Sequence, residues 1–169
     1  VAHSFPTLRS SALQAAQVRV NSIMKLSKFF WWRRSPRVKR FMDSDFGNMT
    51  ATSGLMMGEI ECSYCGSHGI CFDGCVDGDI IPKEVKMYMK SVLAKKEEYF
   101  NAVAEECNSR FEDEWKDLAW SNLDCITVDV SGGRPVGFDM SFEKDSTSET
   151  FMGAEFNLSG DLDDLYFGD

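Results

Sequence analysis

Histidine is almost absent from this chain: its 169 residues include only His3 and His68. Chemistry that relies on imidazole as a general base or nucleophile partner has little to work with. No nucleophile elbow, phosphate-binding loop or metal-hydrolase motif appears either, so the sequence predicts a protein that binds rather than one that catalyses. Long apolar runs are lacking too. The longest candidate, Leu26 to Trp32, falls short of the roughly 18–20 residues that cross a bilayer and runs directly into Arg33 and Arg34. Acidic residues are missing from one region altogether. Residues 1–42 contain no Asp or Glu but hold nine of the eighteen basic residues, whereas residues 43–169 hold all 27 acids. The two parts therefore carry +9 and −18, and the shift marks a boundary near Phe41–Asp45.

What is present suits a folded core. Hydrophobic residues make up 43% of the chain, with 13 Phe, 9 Met and 4 Trp. The acid-free start, rich in Ser and Ala, predicts an organellar transit segment or its remnant. Read instead as a retained arm, it interleaves rings and cations at Phe29, Phe30, Trp31, Trp32, Arg33 and Arg34. Such a run suits a lipid interface or an acidic partner surface. Nucleic acid is not expected, because the −18 body repels a polyanion.

Glycine and proline are both missing between Lys83 and Trp120, just after Pro82. Val85, Met89, Val92, Tyr99, Val103, Cys107, Phe111, Trp115 and Leu118 recur there at mostly helical spacing. The expectation is one long amphipathic helix, with a break possible near Asn108-Ser109. Beyond it, Ile126, Val128 and Val130 alternate with polar residues, "SGGRP" supplies a turn, and Val136, Phe138, Met140 and Phe142 alternate again. "TFMGAEFNL" at 150–158 reads as a third strand. The tail "GDLDDLYFGD" joins acids to Tyr166 and Phe167, which predicts a partner-docking segment. The expected fold is thus α+β: an extended basic N-terminal arm (1–42), a Cys-rich knuckle (43–81), the long helix with a small antiparallel β-meander (82–158), and the acidic–aromatic tail (159–169).

Four of the six cysteines crowd into "IECSYCGSHGICFDGCV". Cys62 and Cys65 form a C-x2-C pair, and Cys71 and Cys75 a C-x3-C pair. Such pairs can supply four thiolates to a tetrahedral zinc ion, close two disulfides in an oxidising compartment, make a redox-active dithiol, or remain free thiols in a tight loop. The first two readings describe a structural staple, with zinc the favoured cofactor. Glu59 and Glu61 would raise a neighbouring thiolate's pKa, which weighs against the third. Cys107, on the apolar side of the helix, is expected to be a small buried hydrophobe.

The segment "GEIECSYCGSHGICFDGCVDGD" resembles the cysteine-rich zinc-finger of DnaJ-type proteins and small plastid relatives. Cys62, Cys65 and Gly69 fall on the first family unit, with Cys71 and Gly78 on the second. Ser67 replaces a family glycine, and Cys75 comes one residue late. The resemblance implies zinc binding and favours a plastid over a mitochondrion. Together these features lead to the expectation of a peripheral, non-catalytic linker or accessory subunit of an organellar membrane complex, a thylakoid photosystem–antenna assembly first. Its partners would be membrane-complex subunits, a lipid surface or pigment-protein antennae. The alternative is a small zinc-finger-type chaperone or assembly factor.

Overall fold

The computed structural model describes residues 38–63, 66–75, 80–111, 115–144 and 151–168. Apart from Gly168, the last residue of β8, the elements below belong to one unit, Pro36–Phe167. They replace the expected α+β arrangement with a single eight-stranded sheet in the order β1 to β8. The strands are β1 (Lys39–Asp43), β2 (Gly47–Thr52), β3 (Leu55–Cys62), β4 (Gly66–Asp73), β5 (Leu123–Ser131), β6 (Arg134–Glu143), β7 (Phe151–Asn157) and β8 (Leu162–Gly168). From β1 to β7 each neighbouring pair is antiparallel except β4 with β5, which is parallel. A parallel neighbour needs a crossover, and the segment between these strands supplies it with two helices.

The helices are α1 (Lys83–Ala94) and α2 (Lys96–Arg110). The expected single long helix is broken at Lys95, whose φ of −108° and ψ of 9° leave the helical region. Its N–H turns back to the carbonyls of Ser91 and Val92, closing α1 with a tight final turn. The sequence around the break is Lys95-Lys96-Glu97-Glu98. Glu97 and Glu98, in the first turn of α2, suit the dipole at its N-terminus. At about 1.5 Å per residue the pieces are about 18 and 22 Å long, short enough to lie on one sheet face.

The helical stripe does face a core. Val85, Met89 and Val92 of α1, and Phe100, Val103 and Cys107 of α2, are buried against the sheet. Alternation supplies the other side. Met56, Ile70, Phe72, Ile126, Val128, Phe138, Met140, Met152, Ala154 and Phe156 share the helix-facing side through register. Phe138 stacks on Phe156 at 4.5 Å between centroids, and Tyr99 tilts onto both rings. Cys107 Sγ lies 3.4 Å from Met152 Sδ, which places it in the core as expected.

Positive-φ residues make the tight turns. Ser53 and Gly54 (φ 46° and 89°) join β2 to β3, and Gly132 and Gly133 (58° and 77°) join β5 to β6 in "SGGRP". The β1–β2 turn closes on Asp43, whose carboxylate accepts the N–H groups of Asp45 at 2.9 Å and Phe46 at 3.3 Å.

Lys86 of α1 pairs with Asp43 and reaches Asp45 at 3.7 Å, while Lys90 pairs with Asp45. Burial alone would raise the pKa of Asp43, but the Lys86 bond and the backbone N–H groups outweigh it and hold the carboxyl low. A lowered folded pKa stabilises fully above the unfolded value near 3.8, and that contribution is lost as pH falls through the folded value. Lys86→Met leaves Asp43, only 7% exposed, without its cation. The expected cost in urea unfolding is about 2 kcal/mol at pH 7, shrinking toward zero near pH 2. An equal cost at both pH values would show that lost packing, not the ion pair, is responsible.

The tail is not a loose docking segment, because residues 162–168 form β8 beside β7. Phe167 packs on Phe111 and Trp115. Among the described residues no helix is long and apolar enough to cross a membrane.

Candidate functional site: a carboxyl cluster on the second sheet face

Strand pairing fixes what lies on the face turned away from α1 and α2. Three transverse rows cross β4, β5, β6 and β7. The first contains Asp73, Asp129, Gly137 and Asn157; the second Cys71, Thr127, Asp139 and Glu155; the third Gly69, Cys125, Ser141 and Gly153. Asp73 is therefore directly opposite Asp129, and Asp139 directly opposite Glu155. Asp129 and Asp139 stand on a diagonal between neighbouring strands. Four carboxyl groups thus form a continuous path over four strands, and no lysine or arginine occupies any of the three rows.

Glycine shapes this cluster. Gly137, opposite Asp129, presents no side chain between the two aspartates. Gly153 lets the Tyr166 ring lie flat, since a Cβ there would come within 2.1 Å of the ring. Tyr166, crossing β7 from β8, meets Phe151 edge-on and borders the cluster.

The electrostatics follow from that crowding. Asp129 is half-buried; burial, then the charges of Asp73 and Glu155, raise its pKa to about 6. Asp139 is pushed well above the ordinary carboxylate range by burial, with Asp129 and Glu155 adding to it. The Tyr166 phenol is raised by burial and then by Asp139, Asp129 and Glu155. Carboxyl groups in such surroundings keep a proton at pH values where exposed ones have lost it.

Of the cysteines expected to gather, Cys62, Cys71 and Cys75 do not. Cys62 stands opposite Gly66 and Cys71 opposite Met57, so about five residues of strand, roughly 17 Å, lie between them. Their side chains also point to opposite faces: Cys62 alternates with helix-facing Met56, and Cys71 lies in the second-face rows. Cys75 follows the far end of β4 and joins the core. A zinc ion with bonds of about 2.3 Å cannot span Cys62 and Cys71 in this hairpin. Cys62, Cys71, Cys75, Cys107 and Cys125 carry free thiols. Burial first of all raises the pKa of Cys71, Cys75 and Cys107, and that of Cys125 to about 12, so none of these four is poised as a nucleophile. Among the described residues no group of three His, Cys, Asp or Glu side chains is arranged to hold a metal ion.

Of the expected docking residues, Tyr166 borders the carboxyl cluster and Phe167 packs on the opposite, helix-facing side. Cys65, Phe29, Phe30, Trp31, Trp32, Arg33 and Arg34 lie outside the described residues. The sequence reading missed Asp73, Asp129, Asp139 and Glu155. Their positions between alternating apolar residues mark a polar strand face, and an acid at each of these positions was the available signal. No family model, no curated protein and no solved structure matches the chain.

Proposed function

We propose that this protein is a non-catalytic accessory subunit that binds a lysine- and arginine-rich segment of a partner protein through the second face of its sheet. The observation that carries this reading is the register of Asp73, Asp129, Asp139 and Glu155 on four consecutive strands, in rows without a basic residue. Like charges held side by side destabilise a sheet, and their complement is a cationic surface. Paired strands fix the pattern before a partner arrives, so little ordering is lost on binding. The −18 carried by residues 43–169 adds long-range attraction for the same class of partner.

The setting we propose is an organellar, membrane-associated assembly, supported by the acid-free basic start and the aromatic–cationic run at residues 29–34. Imaging of a C-terminal fluorescent fusion tests this, and signal spread through the cytosol would sink it.

The docking reading is tested by fluorescence anisotropy with a labelled Lys/Arg decapeptide. The expected result is salt-sensitive binding that weakens about tenfold or more when Asp73, Asp129, Asp139 and Glu155 are replaced together by their amides. Unchanged affinity in that variant, or equal affinity for a Glu/Asp decapeptide, would refute the reading.

A further inference from the structure

Three sulfur-bearing side chains meet on the second face of the sheet. Met57 of β3 stands directly opposite Cys71 of β4, and Cys125 of β5 stands opposite Gly69, two residues along β4 from Cys71. Paired residues share a face, and so do alternate ones along a strand, so all three project from the side away from α1 and α2. Glycine makes room for the approach. A Cβ at Gly69 would lie 3.1 Å from Cys125 Sγ, so that sulfur leans over the backbone of β4. Cys125 Sγ is also 3.8 Å from Oγ1 of Thr127, the residue paired with Cys71. It is thus held over the gap between β4 and β5, on the Cys71 side. Both thiols are free. Diagonal neighbours in a sheet stand about 7–8 Å apart, beyond the roughly 4.4–6.8 Å between α-carbons that a disulfide bridges. An ion between the two sulfurs, with bonds of about 2.3 Å, fits that spacing.

From this arrangement we infer that Met57, Cys71 and Cys125 form a binding site for a soft monovalent metal ion of the copper(I) class. The choice of ion follows from the donors. Two thiolates and a thioether select a soft ion. Zinc takes Cys, His, Asp or Glu, usually four in all, and among the described residues no third ligand of those types joins the two cysteines. Cys71 is only 1% exposed, which shields the sulfurs from water, whereas half-buried Cys125 gives the ion its way in. Burial first of all keeps both thiols protonated. Binding therefore breaks two S–H bonds, forms two S–metal bonds and passes two protons to the buffer. Met57 Sδ donates a lone pair without losing a proton, and the ion keeps its oxidation state throughout. The Thr127 hydroxyl then donates to the Cys125 thiolate and holds it in place. This site does not depend on the docking of a cationic segment, which uses the carboxyl groups beside it.

Anaerobic titration of the reduced full chain with copper(I), in competition with a chromogenic copper(I) chelator, tests the site. The expected result is about one ion held per chain, with a thiolate-to-copper absorption band in the near ultraviolet. The double variant Cys62→Ser/Cys65→Ser keeps that ion, and Cys71→Ser/Cys125→Ser loses it. Met57→Leu, which leaves both thiols in place, weakens binding about 10–100-fold. Amide NMR of the parent chain covers the case in which the cysteine variant fails to fold: one equivalent of copper(I) should shift Met57, Cys71 and Cys125 and leave Cys62 unmoved. Shifts centred on Cys62, an ion retained by Cys71→Ser/Cys125→Ser, no ion held against the chelator, or zinc bound as tightly as copper(I) would each overturn the inference.

Discussion

Gly74→Ala is expected to destabilise the protein by about 3–5 kcal/mol and lower its melting temperature by roughly 10–20 °C. Gly74 ends the β3–β4 hairpin with φ at +88°, where an L side chain is strained. A Cβ at this position would also sit 2.1 Å from the backbone oxygen of Val130, at the end of β5. That oxygen belongs to a strand, so neither partner can move without disturbing the parallel β4–β5 pairing. The Gly74 N–H donates to the Gly54 carbonyl at 3.1 Å, which ties the same point to the β2–β3 turn. Gly133→Ala is the control. Its φ is +77° but nothing lies within 4 Å of the added carbon, so only the backbone cost of about 1 kcal/mol is expected. Equal losses in the two variants would show that the contact between residue 74 and β5 is wrong.

Asp139→Asn is expected to act in the opposite sense, raising stability by about 1–3 kcal/mol at pH 8 and changing it little at pH 4. Asp129 and Asp139 have folded pKa values raised above the unfolded value of 3.8. Their protonated forms are therefore favoured by folding. That contribution is complete below about pH 4 and is lost as pH rises through about 6 for Asp129 and higher for Asp139. An amide removes the ionisation while keeping the shape of the side chain. His68 has the opposite dependence. Burial, then Lys96, lowers its pKa to about 4, so it destabilises the fold as pH falls from 6.5 toward 4. Comparing the variant with the parent at each pH cancels His68 and isolates the carboxyl pair. A variant less stable than the parent at pH 8 would contradict this electrostatic account.

The part of the fold set by local pattern was legible. Alternation at Ile126, Val128 and Val130, the "SGGRP" turn, and alternation at Phe138, Met140 and Phe142 became β5, its turn and β6. The stretch at 150–158 became β7. Where two patterns competed, the more conspicuous one misled. Met56, Gly58, Ile60 and Cys62 alternate on β3, and His68, Ile70 and Phe72 on β4, yet the cysteine and glycine spacing suggested a knuckle. Residues 83–110 keep a helical stripe across the Lys95 break because both pieces bury it on the same sheet face. The acids Glu97 and Glu98 in mid-stripe were the sign of a second helix start. The carboxyl cluster was not legible as a site. Alternation assigns Asp129, Asp139 and Glu155 to a polar face, but their adjacency depends on register, and Asp73 reaches Asp129 only through the parallel crossover.

The central claim is that this carboxyl-lined face is where a cationic partner binds. Backbone-amide NMR of the isotope-labelled chain, titrated with the Lys/Arg decapeptide at pH 7.5 and low salt, tests it most directly. The account predicts saturable shifts concentrated at Asp73, Asp129, Asp139, Glu155 and Tyr166, suppressed by salt, with Val85, Met89 and Val103 on the helix side unmoved. Shifts centred on α1 and α2, or none at millimolar peptide, would contradict it.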